Sequence, residues 1–253
     1  MGKLFLLIFG ILFLSAASFA QGLSNKKVTL EVQTGATFSR FRDGISTQRI
    51  PMNGTLSNNY VTFDAYQEYS SSFYIAGAVN IPIVTSSLKG GKLVLQPGLS
   101  FVGKGGKTIL RPNASAAHVY GDGAITLNTT LSYLEIPVNI LSYHKLGSGK
   151  FFLGGGFSFG ILLDGTIDRT AESTIASKFD LPSEDVSSGS GENDLHRIEL
   201  SNSLLLGYQL NNGLGVRTGF SFSLLNIRGE GVQQDLANMG FNVGVTYRFK
   251  AKS

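Results

Sequence analysis

Along most of the chain, apolar residues recur at every second position. From residue 239 the odd positions read Met239, Phe241, Val243, Val245, Tyr247 and Phe249, against Gly240, Asn242, Gly244, Thr246 and Arg248. The segment before it sets Leu214, Val216, Phe220, Phe222 and Leu224 against Gly215, Arg217, Gly219, Ser221 and Ser223. It follows Asn211-Asn212-Gly213, a tight-hairpin signal. A period of two marks a strand with one apolar and one polar face. The same pattern predicts eight strands, at 28–42, 72–84, 93–109, 125–143, 151–163, 198–210, 214–224 and 239–249, with no amphipathic helix between them.

The connections alternate as well. Short turns at 85–91, 144–150 and 211–213 interleave with longer loops at 43–71, 110–124, 165–195 and 229–236. Short turns at one end and long loops at the other predict an all-β, eight-stranded antiparallel up-and-down transmembrane β-barrel. An even strand number returns both termini to the short-turn end, which is expected to be periplasmic. Strands of ten or more residues suit a tilted crossing of the hydrocarbon layer.

A soluble lipocalin-like ligand binder has the same strand count but points its apolar face inward and needs a charged outer face. Here the polar face is mostly Gly, Ala, Ser, Thr and Asn, a poor solvent surface and a good filling for a narrow lumen. The apolar face is expected to meet lipid, and closure removes the edges such strands would expose. The inward set then includes Glu31, Glu135, Arg197, Glu199, Arg217 and Arg248. Charges in a narrow lumen must pair or stay wet, so a lumen ionic network is expected, with Glu31 and Arg248 its first pair. Pro82, Pro97 and Pro137 each remove a sheet donor and predict bulges or strand ends. The apolar positions of the fourth strand shift from Leu131 and Tyr133 to Leu134, Ile136 and Val138, which predicts a bulge near Tyr133.

Composition agrees with a wall that has little wet surface. Only 15% of the 253 residues are charged and 32 are glycine, against about 25% and about 7% in ordinary soluble domains. No internal apolar run reaches the length of a membrane helix. With no cysteine, disulfides and thiolate chemistry are excluded. Lys3, the apolar stretch from Leu4 to Leu14, and small residues at Ser18 and Ala20 read as a signal peptide over 1–20, leaving 21–253 as the barrel domain. Without Lys3 the chain carries 20 Lys and Arg against 17 Asp and Glu, too small a surplus to imply nucleic acid.

The leader, the eight strands, Gln96-Pro97-Gly98-Leu99, and Tyr133-Leu134-Glu135-Ile136-Pro137 with Tyr143 beyond resemble the PorT-like outer-membrane β-barrel family. The resemblance spans essentially the whole chain after the leader. It implies an eight-stranded barrel in the cell outer membrane and, in the founding member, a role in protein secretion. It brings no catalytic residues. The aromatic end of the last strand, Tyr247 and Phe249, resembles the signal read by the barrel-assembly machinery, although Lys250-Ala251-Lys252-Ser253 extends past it.

Candidate chemistry is sparse. His118, His144 and His196 are the only histidines, and His196 has Asp194, Glu199 and Ser201 nearby in sequence. A lipid-modifying enzyme would need hydrogen-bond geometry among such groups, and no spacing demands it. No metal or cofactor motif is present. The third long loop holds eight acids between Asp164 and Asp194 against Arg169 and Lys178. Tyr60, Phe63, Tyr66 and Tyr69 either form a loop contact surface, join the outer aromatic girdle or extend the second strand. The expectation is a non-enzymatic barrel, structural or partner-binding, in contact with outer-membrane lipid and an envelope or secretion-complex protein. A narrow channel, a lipid-modifying enzyme and the soluble binder are the alternatives.

Overall fold

The computed structural model describes residues 28–42, 47–51, 60–85, 91–113, 117, 123–172, 184–186, 195–227 and 236–249. The predicted leader over 1–20, His118 and most of the acidic loop lie outside them. Among the described residues eleven strands are present: β1 (Thr29–Arg42), β2 (Thr47–Pro51), β3 (Tyr60–Glu68), β4 (Ser70–Thr85), β5 (Lys92–Pro112), β6 (Ile125–Leu146), β7 (Gly149–Ala171), β8 (Glu184–Asp185), β9 (Ile198–Leu210), β10 (Leu214–Ser223) and β11 (Ala237–Arg248). Nine of them close a ring in the order β1, β4 with β3, β5, β6, β7, β9, β10, β11 and back to β1. β3 and β4 are consecutive stretches of one wall, broken at Tyr69 and both paired to β5. Every pairing is antiparallel.

The barrel is apolar outside and polar within. Leu204, Val216 and Val243 are 63%, 56% and 50% exposed, whereas Glu31, Gln96 and Glu199 are 2%, 1% and 1% exposed. A barrel in water would invert this distribution, because exposed aliphatic faces of this extent drive aggregation. In lipid the same faces need no cover. The lipocalin-like alternative is thereby corrected.

The walls differ from the predicted ones mainly at the long-loop end. The first long loop contains the β2–β3 hairpin, and β3 continues the wall against the outer half of β5. The strands β5, β6 and β7 run for 21, 22 and 23 residues. At about 3.3 Å per residue and a tilt of about 45°, roughly 11 residues cross an apolar band of about 25 Å. These three strands therefore project well beyond it. At the opposite end, β6 and β7 turn within Gly147 and Ser148, tighter than the predicted 144–150 connection, with Gly147 at φ 56°.

The ladder breaks where proline removes donors. Ile83 bulges out of the β4–β5 register beside Pro82, and the β5–β6 ladder skips from Pro97–Val138 to Ser100–Glu135. The bulge expected near Tyr133 does fall between Ser132 and Tyr133 in the β6–β7 register. Its extra residue, however, is Leu163 on β7. β6 itself keeps one phase, with Leu131, Tyr133, Asn139, Leu141 and Tyr143 all buried inward. The shift in apolar positions thus records a change in what fills the lumen.

Candidate functional site

The lumen is filled in three tiers. Nearest the short turns, Glu31 of β1 is the hub. Its Oε2 accepts hydrogen bonds from Arg248 Nη2 at 2.7 Å and Nε at 3.0 Å, and from Asn80 Nδ2 at 3.2 Å. Its Oε1 accepts from Gln33 at 3.0 Å and Gln96 at 3.3 Å. Gln96 Oε1 in turn accepts from Arg217 Nη1 at 3.1 Å. Arg248 also bonds Tyr143 Oη and lies over that ring, 4.6 Å from its centroid, while Tyr143 packs on Phe152. These contacts join β1, β4, β5, β6, β10 and β11, which neighbour one another only around the ring.

Midway along the lumen a second network centres on Lys104 of β5. Its Nζ is 2.6 Å from Glu135 Oε1 on β6 and 2.8 Å from Glu199 Oε1 on β9. Ser158 donates to Glu135, and Ser223 and Asn238 donate to Glu199. One cation, two carboxylates and three neutral donors satisfy one another in a region of low dielectric, where an unpaired charge would be costly. Around it and toward the long-loop end Phe41, Tyr74, Val102, Leu131, Tyr133 and Leu162 form an apolar cluster, the roof, with Leu195 and Ile227. Between the two networks lies a cavity of about 110 Å³, lined by polar groups including Gln33, Lys104, Glu199 and Arg217 and by apolar ones including Tyr74 and Val102. That volume holds several waters.

Five of the six residues expected in the lumen network, Glu31, Glu135, Glu199, Arg217 and Arg248, face the lumen. Arg197 does not. It sits in a bend just before β9, exposed, because strand alternation begins only at Ile198. Lys104 supplies the third lumenal cation in its place. Counting by two from Gln96 reaches it, but Gly103, Gly105 and Gly106 erase the contrast between faces around it.

The proposed aromatic contact surface also divides. β3 is a strand, so residues three apart point to opposite sides. Phe63 is fully buried, and Tyr66 is exposed. Tyr69 belongs to the outer girdle, edge-on to Phe241 at 5.7 Å with Arg40 5.2 Å above its ring. Tyr60 opens β3, and its side chain is outside the described residues.

The histidines form no acid–base constellation among the described residues. The backbone N–H of His196 donates to Ile227 O, and the Glu199 carboxylate is committed to Lys104. His144 Nε2 lies 2.9 Å from Ser142 Oγ at the short-turn end, away from any carboxylate partner in its hydrogen bond. Among the described residues no cluster of three or more His, Asp or Glu has metal-binding geometry.

A closed ring of strands with an aliphatic exterior and an ionic, packed interior is a membrane-spanning β-barrel. The outer membrane protein beta-barrel domain family matches residues 19–229, and the chain belongs to it. The protein is thus one of the outer membrane. No curated protein matches the chain. Among solved structures it is similar to Neisserial surface protein A, with 9% identity and a TM-score of 0.40 over 87% of this chain and 97% of that one. It is similar also to Ail, the attachment invasion locus protein of Yersinia pestis (12%, 0.35, 88% and 99%). The outer membrane protease OmpT from Escherichia coli is a third (11%, 0.37, 88% and 97%).

Proposed function

We propose that this protein is a sealed, non-enzymatic barrel that works by contact with an envelope partner, its short-turn end and both termini facing the periplasm. The observation that carries this reading is the continuous filling of the lumen. The Glu31–Arg248 tier, the Lys104–Glu135–Glu199 tier and the apolar cluster each fill the interior, and the space between them is a cavity of about 110 Å³. Opening a pore would require breaking buried ion pairs at two levels. The absence of an acid–base constellation among the described residues favours contact over catalysis. The PorT-like resemblance points the contact toward protein secretion.

Reconstituted in planar bilayers, the protein is expected to show no stable openings, and steady conductance steps of porin size would overturn the sealed lumen. Photo-crosslinking in intact envelopes is expected to recover a protein partner at the short-turn end. Recovery of lipid alone would remove the partner-binding role while leaving the sealed barrel intact.

A further inference from the structure

Outside the lumen, cations lie at both ends of the barrel but acids lie at only one among the described residues. Among the described residues the short-turn end carries Lys92, Lys145 and Lys150, with no Asp or Glu besides lumenal Glu31. The described Asp and Glu other than Glu31, Glu135 and Glu199, namely Asp64, Glu68, Asp164, Asp168, Glu172, Glu184 and Asp185, all fall toward the long-loop end.

β5 turns Val94 and Gln96 inward, β6 turns Leu141 and Tyr143 inward, and β7 turns Phe152 inward. Two residues further toward the short turns, the same phase reaches Lys92, Lys145 and Lys150. These lysines therefore overhang the mouth of the lumen. The outward phase at this end carries Leu146, Tyr247 and Phe249, exposed and apolar, which is the surface that meets lipid. Lys145 and Lys150 are directly opposite each other across the β6–β7 ladder, and Lys92 is on the adjoining strand opposite Tyr143. Like charges facing across a ladder destabilise it, so the free mouth carries a repulsion that an anion seated there relieves. Three adjacent strands at about 4.8 Å spacing make a rim of about 10 Å, long enough for several carboxylates in series.

We infer that the short-turn mouth docks an acidic polypeptide segment of an aqueous-side partner, with Lys92, Lys145 and Lys150 as its contacts. The inference rests on the partner-binding reading above and names the partner's chemistry. A lipid headgroup is the less suitable occupant, because the three lysines stand in the inward phase, off the lipid-facing belt.

The test uses the whole barrel folded in zwitterionic detergent and a fluorescein-labelled hexaglutamate peptide, followed by anisotropy. Binding at low salt, lost at high salt as screening requires, is expected. The Lys92→Gln, Lys145→Gln, Lys150→Gln triple variant is expected to bind at least about tenfold more weakly. Lys250→Gln with Lys252→Gln is expected to change binding by no more than about twofold. Heat-modifiable gel migration reports folding, and Lys145→Gln alone serves if the triple variant fails to fold, with a smaller loss expected. No binding by the unaltered barrel, equal binding by the folded variants, or equal loss from the tail substitutions overturns the site. So does a result in which the three lysines govern association with phosphatidylglycerol vesicles and not with the peptide. Silent bilayers without peptide binding retire the docking site alone. Peptide binding without any protein cross-link in intact envelopes retires the partner-binding reading.

Discussion

Lys104→Met is expected to lower the unfolding free energy of the barrel by about 3–5 kcal/mol, because it leaves two buried carboxylates facing each other without their cation. Lys104 is 8% exposed and Glu199 is 1% exposed, and each lies within ion-pair distance of its partner. Water in the adjoining cavity can hydrate these groups but carries no charge to replace the lost cation. The hydrogen bonds from Ser158, Ser223 and Asn238 solvate the carboxylates without neutralising them. Adding Glu135→Gln and Glu199→Gln to Lys104→Met is expected to recover most of the loss. Glutamine keeps an acceptor for the three donors and removes both charges, and replacing a complete buried ionic set is far milder than breaking one. Denaturant unfolding, followed by the loss of the compact heat-modifiable gel species, measures both effects. A Lys104→Met barrel within about 1 kcal/mol of the parent would show that the lumen is wetter than the packed tiers imply.

The lumen was legible in outline and wrong in one member, for a local reason. Strand alternation tells which residues share a face only where the strand has begun. Arg197 is one residue too early for β9, so its place in the count was an extrapolation across a bend. Lys104 lay well inside β5, in phase with Gln96 and Ser100, but its glycine neighbours gave neither face a character. The expected balance of three acids and three cations holds with Lys104 substituted for Arg197. Near-neutrality is what a low-dielectric interior demands, and that demand singles out a missing cation once Arg197 is placed outside.

The wall itself was legible because its two faces differ so strongly in β1, β9, β10 and β11. Its extensions were not. Nothing in residues 60–68 distinguishes an aromatic loop from a strand until a partner edge is available, and the outer half of β5 provides that edge. Likewise Leu131 and Tyr133 are apolar and inward, against the rule that governs the rest of the lumen, because the roof of the barrel excludes water there. Sequence contrast reports the environment of a face, and it misleads wherever that environment changes along the barrel axis.

The seam between the first and last strands should tolerate little added volume. Gly35 of β1 and Gly244 of β11 are directly opposed in the register that closes the ring, and the ring of Tyr74 lies over both from β4. A Cβ at Gly35 would come within 2.9 Å of Tyr74 Cε1 and would also meet the Val243 carbonyl. One at Gly244 would meet the Thr34 carbonyl and Tyr74 Oη. A tyrosine tip can swing aside, but a carbonyl belonging to the neighbouring strand cannot move without stretching the ladder. Gly244→Val is therefore expected to cost about 3 kcal/mol or more, at the upper end for overpacking, and to reduce the fraction of chains that close. Gly244→Ala combined with Tyr74→Ala separates the two obstacles. If the tyrosine ring is the main obstruction, the double variant will be clearly less destabilised than the sum of the singles. If the strand carbonyl dominates, the losses will add, and closure will depend on the backbones approaching where neither strand has a side chain. Equal heat-modifiable migration and equal unfolding midpoints for Gly244→Val and the parent would show that the seam has room the close approach of β1 and β11 denies.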